Sequence, residues 1–573
     1  MRDSSVERGV LETIWTERYP EGVKGRVEIP DMMYHDVVFK SFKDRGSVTG
    51  AIFLGSTYSN SGLLYHSLRV ASFLRSMGIG PRSRVGLVLP NSPQFVVSYL
   101  GILATGATVV PMNPLYKASE LNYIIRRSRL ESIVVLDLFY DEVRRALEGT
   151  DVRFSIITNV ADMLPPLKRT LGRTLRRVPT ADVPPDRNLF KFTQVMRSKP
   201  MDPEEVYSGD PDETIAAICF TSGTTGLPKG AMLSHKNLVS DVHQSYEFAK
   251  SFLSDNERVL AVLPFFHIYG QTAIMGFSLM HGHTLVIIPR PDLRTVLESI
   301  GRFKVSVVFG VPSLYNALIN LPSFDREKFS SVKLCISGAD KLHPEIAKRF
   351  EETTGLKIIE GYGLTETSPV THLNPPNAPR IGSIGLPLPN TYAWIVREEG
   401  EEFLPIGEVG EIVVSGPQVM KGYLDDPDAD KHVFLQKMGM KWIRTGDIGR
   451  MDEDGFFYVL ERRKDLIKYK GWSIYPTEIE NIILRHEAVR SAALVGVPDV
   501  NVGERVVLFL TLKPEYGGRI NEVWFLEWCR SNLPAFAVPS KIYFKDELPV
   551  SVTGKVMRRL LREEAIMMES GKD

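Results

Sequence analysis

Ten consecutive residues, Thr221-Ser-Gly-Thr-Thr-Gly-Leu-Pro-Lys-Gly230, combine what a polyphosphate needs from a protein. Gly223, Gly226 and Gly230 are close enough for the backbone to curl and turn several N–H groups inward. Ser222, Thr224 and Thr225 add hydroxyl donors, and Lys229 adds a cation. The apolar stretch Ile215–Phe220 before the string reads as a strand, and Ser234 after it can cap a helix. The string is not GxxxxGK[ST], because Pro228 precedes Lys229 and no Ser or Thr follows it. Taken alone, such a string is also compatible with an ordinary Gly/Ser/Thr loop.

It does not stand alone. Downstream lie Pro264-Phe-Phe-His267, Ser337-Gly-Ala-Asp340, Gly361-Tyr-Gly-Leu-Thr-Glu-Thr367, Arg444-Thr-Gly-Asp447, Glu461-Arg-Arg-Lys-Asp465 and Pro549-Val-Ser-Val-Thr-Gly-Lys555. In order and approximate spacing, from about Tyr58 to Arg562, the set resembles the adenylate-forming superfamily of acyl- and aryl-CoA synthetases, luciferases and peptide-synthetase adenylation domains. Within it, Pro111-Met-Asn-Pro-Leu-Tyr116, Leu263-Pro-Phe-Phe-His-Ile-Tyr-Gly270 and Met163-Leu-Pro-Pro-Leu167 look most like bacterial-type long-chain fatty acid–CoA synthetases.

The resemblance implies a role for each matching residue. Thr221, Ser222, Gly223, Thr224, Thr225 and Lys229 hold the phosphates of ATP, with Thr225 and Glu366 on Mg²⁺. Gly361, Tyr362 and Gly363 bring an aromatic face to adenine beside Gly338, Ala339 and Asp340; Thr365 meets the α-phosphate. The chemistry agrees: a flat ring suits a purine, and a carboxylate tolerates phosphates only with a divalent cation between them. Asp447 takes the ribose hydroxyls and Arg462 lies near ribose and phosphates. Lys555 bridges carboxylate and α-phosphate as charge builds at phosphorus. Lys464 is the hinge, and Lys468 and Gly471 belong to the face that receives coenzyme A. His267, Tyr269 and Val311 line the acid pocket; His267 responds to the acid rather than moving a proton, since a carboxylate is already ionised at neutral pH. Two departures from the family pattern stand out, Glu461 before the hinge arginine and Asp340-Lys341 beside the pocket.

Positioning these residues requires a large α/β body. From about Arg82 to Thr158, short apolar runs (Arg84–Leu89, Ala107–Pro111, Ser132–Leu136, Phe154–Thr158) alternate with helix-length segments (Gln94–Ala104, Ser119–Arg127, Asp141–Leu147), the rhythm of a mostly parallel sheet. It recurs from Val259 to Glu360, which suggests two similar sheet layers. A charged tail follows, with strands at Ala492–Val497 and Arg505–Leu512 and helices at Pro476–Arg485 and Glu522–Ser531. The expected organisation is an N-terminal ATP- and acid-binding domain over 1–461, a hinge at 462–465 and a C-terminal domain over 466–573. The fold class is α/β, and the resemblance implies stacked mostly parallel sheets with helices plus a small β-barrel-like part, followed by a small mobile α+β domain.

At 573 residues the chain exceeds one ordinary core. Basic and acidic residues balance at 69 each, which argues for no nucleic-acid partner. Three scattered cysteines speak against a disulfide framework or a zinc site and suit a reducing cytoplasm. The first residues lack the apolar core of a signal peptide, so the expected location is cytoplasmic. Val85–Tyr116 and Val259–Pro289 carry no charge, yet internal Pro, Gly and His residues make them strand–turn–helix–strand units rather than membrane spans.

The Pro-rich stretch 161–200 differs in texture. Leu167, Leu171 and Leu175 at helical spacing share it with Lys168, Arg169, Arg173, Arg176 and Arg177. One reading is a solvated surface insertion whose leucines pack on the body; the other is weak peripheral membrane contact through 163–178. The resemblance implies an acid–CoA ligase: ATP and Mg²⁺ adenylate a fatty or related aliphatic acid, and the acyl group passes to coenzyme A with release of AMP. Apolar Phe265, Phe266, Ile268 and Tyr269 suit an alkyl substrate. An acyl-AMP ligase or a luciferase-like enzyme without CoA transfer, and a silent nucleotide-binding protein, are the alternatives. A homodimer stays open.

Overall fold

The computed structural model describes residues 14–174, 178–221, 228–470, 472–499, 501–550 and 556–569. By internal contacts the chain forms two units, Met1–Tyr392 with Val414–Ile443, and Ala393–Val413 with Arg444–Asp573.

The first unit holds two large sheets. In one, strands Ile358–Gly363, Leu334–Ser337, Val307–Gly310, Arg258–Ala261, Thr284–Ile287 and Thr49–Phe53 lie side by side in that order and parallel. Antiparallel strands close both edges, Val370–Leu373 and Leu386–Pro387 at one end and Ser56–Ser59 at the other. In the other sheet, Ile215–Thr221, Thr108–Pro111, Arg84–Val88, Ser132–Leu136, Phe154–Thr158 and Leu189–Lys191 run parallel, and Lys229–Ser234 and Gly422–Tyr423 add antiparallel strands. The two-layer expectation from the repeated rhythm holds. Strands buried on both faces read as unbroken apolar runs, which is why Ser132–Leu136 and Phe154–Thr158 have the bounds the sequence suggests.

Helix Pro93–Ala104 shows why the uncharged stretch is no membrane span. All its residues are buried; Ser92 caps it by accepting from Phe95 N, and Pro93 sits where a missing N–H costs nothing. A Cβ on Gly101 would stand 2.7 Å from Val70 and 2.8 Å from the Ser67 carbonyl, so glycine lets helix Asn60–Ser76 pack this closely. Among the described residues no helix is long and apolar enough to cross a membrane. Asn91 ties the sheets together: its amide donates to the carbonyls of Ala261 (3.1 Å) and Leu263 (2.8 Å) and accepts from Phe265 N (2.7 Å).

The insertion forms helix Pro166–Thr174, anchored where Lys168 Nζ donates to Gly55 O at 2.7 Å and to Ser56 Oγ. Leu167 is 81% exposed and Leu171 55%. The expectation that the insertion's leucines pack on the body is corrected for these two; Leu175 lies outside the described residues.

In the second unit a long hairpin joins Val489–Asp499 to Gly503–Leu512; the other edge of Gly503–Leu512 takes Lys541–Phe544 along Val507–Leu510 and, at Gly503, Ile467–Tyr469, which pairs in turn with Trp472–Ile474. Alternation splits its faces. Ala492 and Leu494 join the core under helices Pro476–Ile483 and Glu522–Asn532; Ala493, Val495 and Val497 pack with Leu561 and Ala565 of helix Arg558–Glu569. All three cysteines are buried and free.

Candidate active site

The phosphate string joins two antiparallel strands, with Thr221 opposite Lys229 and the Thr221 hydroxyl 3.4 Å from Lys229 O. Ser222, Gly223, Thr224 and Thr225 lie outside the described residues. Ser234 closes the second strand and caps helix His235–Ala249: its hydroxyl accepts from Asn237 N, and the Asn237 side chain accepts from Ser234 N. An additional strand, Lys229–Ser234, therefore stands between the loop and the expected helix. The half-exposed Lys229 ammonium lies 4.0 Å from Asp426 and 5.3 Å from the centre of the Tyr423 ring.

Gly361, Tyr362 and Gly363 end a strand that pairs with Val370–Leu373. The connection is short and heavily bonded. Leu364 N donates to Pro369 O and to the Thr367 hydroxyl at 3.0 Å each, and that hydroxyl donates to Pro369 O at 2.6 Å. The turn Thr365–Thr367 carries Thr365 and Glu366. A Cβ on Gly363 would overlap the Pro369 carbonyl, so only glycine allows the two strands to meet there. Tyr362 meets His372 edge to face, their ring centres 5.8 Å apart. The Glu366 carboxylate accepts from Tyr423 Oη at 2.7 Å, and its carbonyl accepts from Met420 N at 2.8 Å.

The turn after strand Leu334–Ser337 carries Gly338, Ala339 and Asp340. Ala339 sits at φ +68°, a left-handed conformation rare outside glycine. Gly338 N donates to Gly310 O, and a Cβ there would press on the Tyr269 ring at 3.1 Å. Asp340 accepts from Lys341 N at 2.9 Å. Buried Glu360 beside this turn accepts from Leu342 N; burial raises its pKa to about 8, so it is largely protonated at neutral pH.

His267, Tyr269 and Val311 come together near the same sheet ends. The Tyr269 hydroxyl lies 3.5 Å from Gly310 O, and Val311 follows directly and opens helix Pro312–Ile319. Burial lowers the His267 pKa to about 4, so the ring is neutral at pH 7. Its Nδ1 accepts from Tyr269 N at 3.2 Å, which puts the proton on Nε2 and makes that nitrogen the donor. Tyr315 lies below, its hydroxyl 2.8 Å from the carbonyls of both Val308 and Ile336.

In the second unit Asp447 is buried and pairs with Arg462, Nε to Oδ1 at 2.8 Å, across adjoining strands. Buried Glu411 organises this corner: it accepts from Arg444 at 2.7 Å and from Gly446 N at 3.0 Å. Lys464 lies in the short turn Arg463–Asp465. Lys468 N is held by Glu504 at 2.8 Å, and its ammonium lies 3.9 Å from Glu398. Gly471 and Lys555 lie outside the described residues. Glu461, the departure before the expected hinge, is buried; it accepts from Arg462 N at 3.0 Å and from Thr477 N at 2.7 Å, on the first turn of helix Pro476–Ile483. Arg558 is mostly buried and bonded to Glu480 at 2.6 Å.

Tyr423, Asn91 and the capping role of Glu461 escape the sequence reading. Gly422-Tyr423 offers no charge or spacing signal, and Asn91 reads only as a breaker between prolines.

Among the described residues no group of three or more His, Cys, Asp or Glu side chains gathers to hold a metal. Magnesium is commonly held by one or two carboxylates together with phosphate oxygens and water, and Glu366, linked to Lys229 through Tyr423, could be such a carboxylate.

Two family models match the chain: AMP-binding enzyme over residues 39–424 and AMP-binding enzyme C-terminal domain over 478–555. A long-chain-fatty-acid–CoA ligase of Bacillus subtilis is 36% identical over 554 residues, covering 96% of this chain and 98% of that one. One from Escherichia coli O157:H7 is 34% identical over 570 residues, with 97% and 99% covered. The structure of ATP-bound MatB from Rhodopseudomonas palustris superposes with a TM-score of 0.81 at 28% identity, covering 94% of this chain and all of that one. Motifs, sheets and near full-length relatives agree, and the chain belongs to the AMP-binding, adenylate-forming enzyme family.

Proposed function

We propose that this chain is an AMP-forming acid–CoA ligase for a fatty or related aliphatic acid. The observation that carries the reading is the meeting of Lys229 and Glu366 on one side chain, Tyr423, beside the Tyr362 strand. It sets a phosphate-binding cation and a metal-binding carboxylate together, as a magnesium triphosphate requires. The fatty-acid ligase names of near full-length relatives support the acid class.

ATP, magnesium and coenzyme A are the reaction's small molecules. In the first half-reaction the acid's carboxylate oxygen attacks the α-phosphorus, and the bond to pyrophosphate breaks. Lys229 and the phosphate string orient the triphosphate; Glu366 and Thr225 hold the metal; Tyr362 and the 338–340 turn take adenine; Lys555 neutralises charge at phosphorus. Neutral His267 offers an N–H to the acid without adding a cation. In the second half-reaction the CoA thiol attacks the acyl carbon and AMP leaves. Rotation about 462–465 exchanges the Lys555 face for the Lys468–Gly471 face between the halves.

The test is mass spectrometry after incubation with Mg·ATP and acids from acetate to stearate, with and without CoA. Acyl-CoA that needs both ATP and CoA is expected. Acyl-AMP without acyl-CoA overturns the CoA step, and no adduct with any acid overturns the enzyme reading.

A second reading concerns location. The protein works in the cytoplasm and touches anionic membrane weakly through 163–178. The exposed Leu167 and Leu171 on a helix that also carries Lys168 and Arg169 favour this, because apolar side chains beside cations are what a charged lipid surface takes up. Replacing Leu167 and Leu171 by serine is expected to weaken co-sedimentation with phosphatidylserine vesicles several-fold. Unchanged sedimentation removes the reading.

A further inference from the structure

We infer that Tyr423 is a positioning residue for magnesium ATP, fixing Glu366 through its hydroxyl and Lys229 through its ring. The inference rests on the proposed function above, in which Glu366 serves the metal and Lys229 the phosphates.

Tyr423 is itself held in place. Its N–H donates to Asp430 Oδ1 at 2.8 Å, and its strand pairs with Ala231, two residues after Lys229. On either side, Lys421 N donates to Met232 O and Leu424 N to Gly230 O, so the segment is bonded along the phosphate-string strand. Met420 N, three residues before the tyrosine, donates to the backbone carbonyl of Glu366. One short stretch therefore joins the strand that carries Lys229 to the turn that carries Glu366.

The side chain repeats this link. A phenol donating to a carboxylate makes a strong, directional bond that leaves the second carboxylate oxygen for a cation. The ring seats the Lys229 ammonium at 5.3 Å, a cation–π distance, with Asp426 at 4.0 Å as its counter-charge. Asp426 is fixed in turn, accepting from Ala429 N at 3.1 Å to cap helix Pro427–Val433. Without the hydroxyl, Glu366 is free to turn toward other donors, and its entropy is lost when the metal arrives. Without the ring, Lys229 loses its seat, and among the described residues Asp426 remains beside it.

Tyr423→Phe separates the two functions because it keeps the ring and the volume. Calorimetric titration with ATP, in excess Mg²⁺ and again in EDTA, reads both. We expect the Kd for Mg·ATP to rise about tenfold and the Kd for metal-free ATP to move less than twofold. Equal losses in both conditions, or no loss in either, overturn the Glu366 half of the inference. Tyr423→Leu is expected to add about a threefold loss in EDTA; identical metal-free binding by the Phe and Leu variants overturns the Lys229 half. If the Leu variant does not fold, Tyr423→Met, flexible enough to fill the same space and likewise without a ring, gives the same reading. Glu366→Gln tests the underlying assignment separately. It should remove the advantage of Mg²⁺, and Tyr423→Phe should then cost nothing more. An Mg²⁺ advantage that survives Glu366→Gln refutes the metal role of Glu366, whatever Tyr423 does.

Discussion

From Gly361 to Leu373 the chain doubles back through a turn closed by backbone and hydroxyl bonds at Leu364, Thr367 and Pro369. From Glu461 to Thr477 it is joined by one buried carboxylate, with Arg558 4.0 Å away. The first connection has no charged group among its closing bonds, so binding a charged ligand there need not rearrange it. The second is made by a charge, and a charge can change partners. A site that must meet a transition state at fixed distances needs the first kind, and a hinge between two half-reactions needs the second.

Lys555→Ala should break the contrast most completely. A preorganised nucleotide pocket without its delivered cation should still bind ATP while adenylation from the acid falls about 10²–10³-fold, the usual cost of one lost electrostatic stabiliser. Conversion of supplied acyl-AMP to acyl-CoA should be largely spared. Equal loss in both half-reactions refutes the division of labour between two faces.

Acid should separate the two units next. Burial lowers the pKa of His35, His66, His235, His243, His267 (to about 4), His281 (to about 2), His283 (to about 4) and His372 (to about 3), all in the first unit. His486 is the second unit's lone histidine, and its shift is also downward. Each lowered histidine contributes stability that is complete above the unfolded value near 6.5 and is lost as pH falls toward its folded value. Each proton difference is worth about 1.4 kcal/mol per pH unit. Glu360, Asp241 and Asp137 act in the opposite sense, since burial raises all three and the folded state keeps their protons, but they are three groups against eight. Hydrogen exchange at pH 7 and pH 5 should show the first unit losing protection more than the second. Equal loss would mean the buried histidines find new partners as they charge.

Gly363→Ala acts on one turn alone. Its methyl would press into the Pro369 carbonyl, so either the strand pair opens or the turn shifts, at about 1–3 kcal/mol. Both ATP affinity and thermal midpoint should fall together. A drop in midpoint with unchanged ATP affinity would show that the turn tolerates displacement, against the rigidity argued for it.

The layered α/β body was legible because parallel strands buried on both faces announce themselves as apolar runs, with helix-length segments such as Gln94–Ala104 between them. The strand Lys229–Ser234 was not, because Lys229 and Gly230 read as loop and its pairing depends on distant residues. The candidate site divides the same way. Residues that could touch substrate lie in short strings whose types state their chemistry. Those that hold them do not, because their partners are far off in sequence: Tyr423 is 57 residues from Glu366, and Asn91 is 172 from Leu263. The leucines of the insertion show the limit from the other side. Helical spacing identified a helix, and spacing alone could not say that Leu167 and Leu171 face water.

Glu461 offers the smallest and most discriminating change. Its two carboxylate oxygens are divided, one on Arg462 N at the end of strand Phe457–Arg462, the other on Thr477 N at the start of helix Pro476–Ile483. The proposed hinge 462–465 lies between them, so any rotation there must release one bond. A shorter aspartate would have less reach across this gap, which gives the departure at this position a physical reason. Glu461→Gln keeps the size but sets an N–H₂ or a single oxygen where two backbone donors are waiting, a loss of about 0.5–2 kcal/mol by analogy with helix caps. Because the bond favours one orientation of the hinge, single-turnover rates of the two half-reactions should move in opposite directions by a few-fold, with ATP affinity unchanged. If both rates fall together with the thermal midpoint, Glu461 only caps the helix, and the contrast between a braced turn and a switchable joint loses its second member.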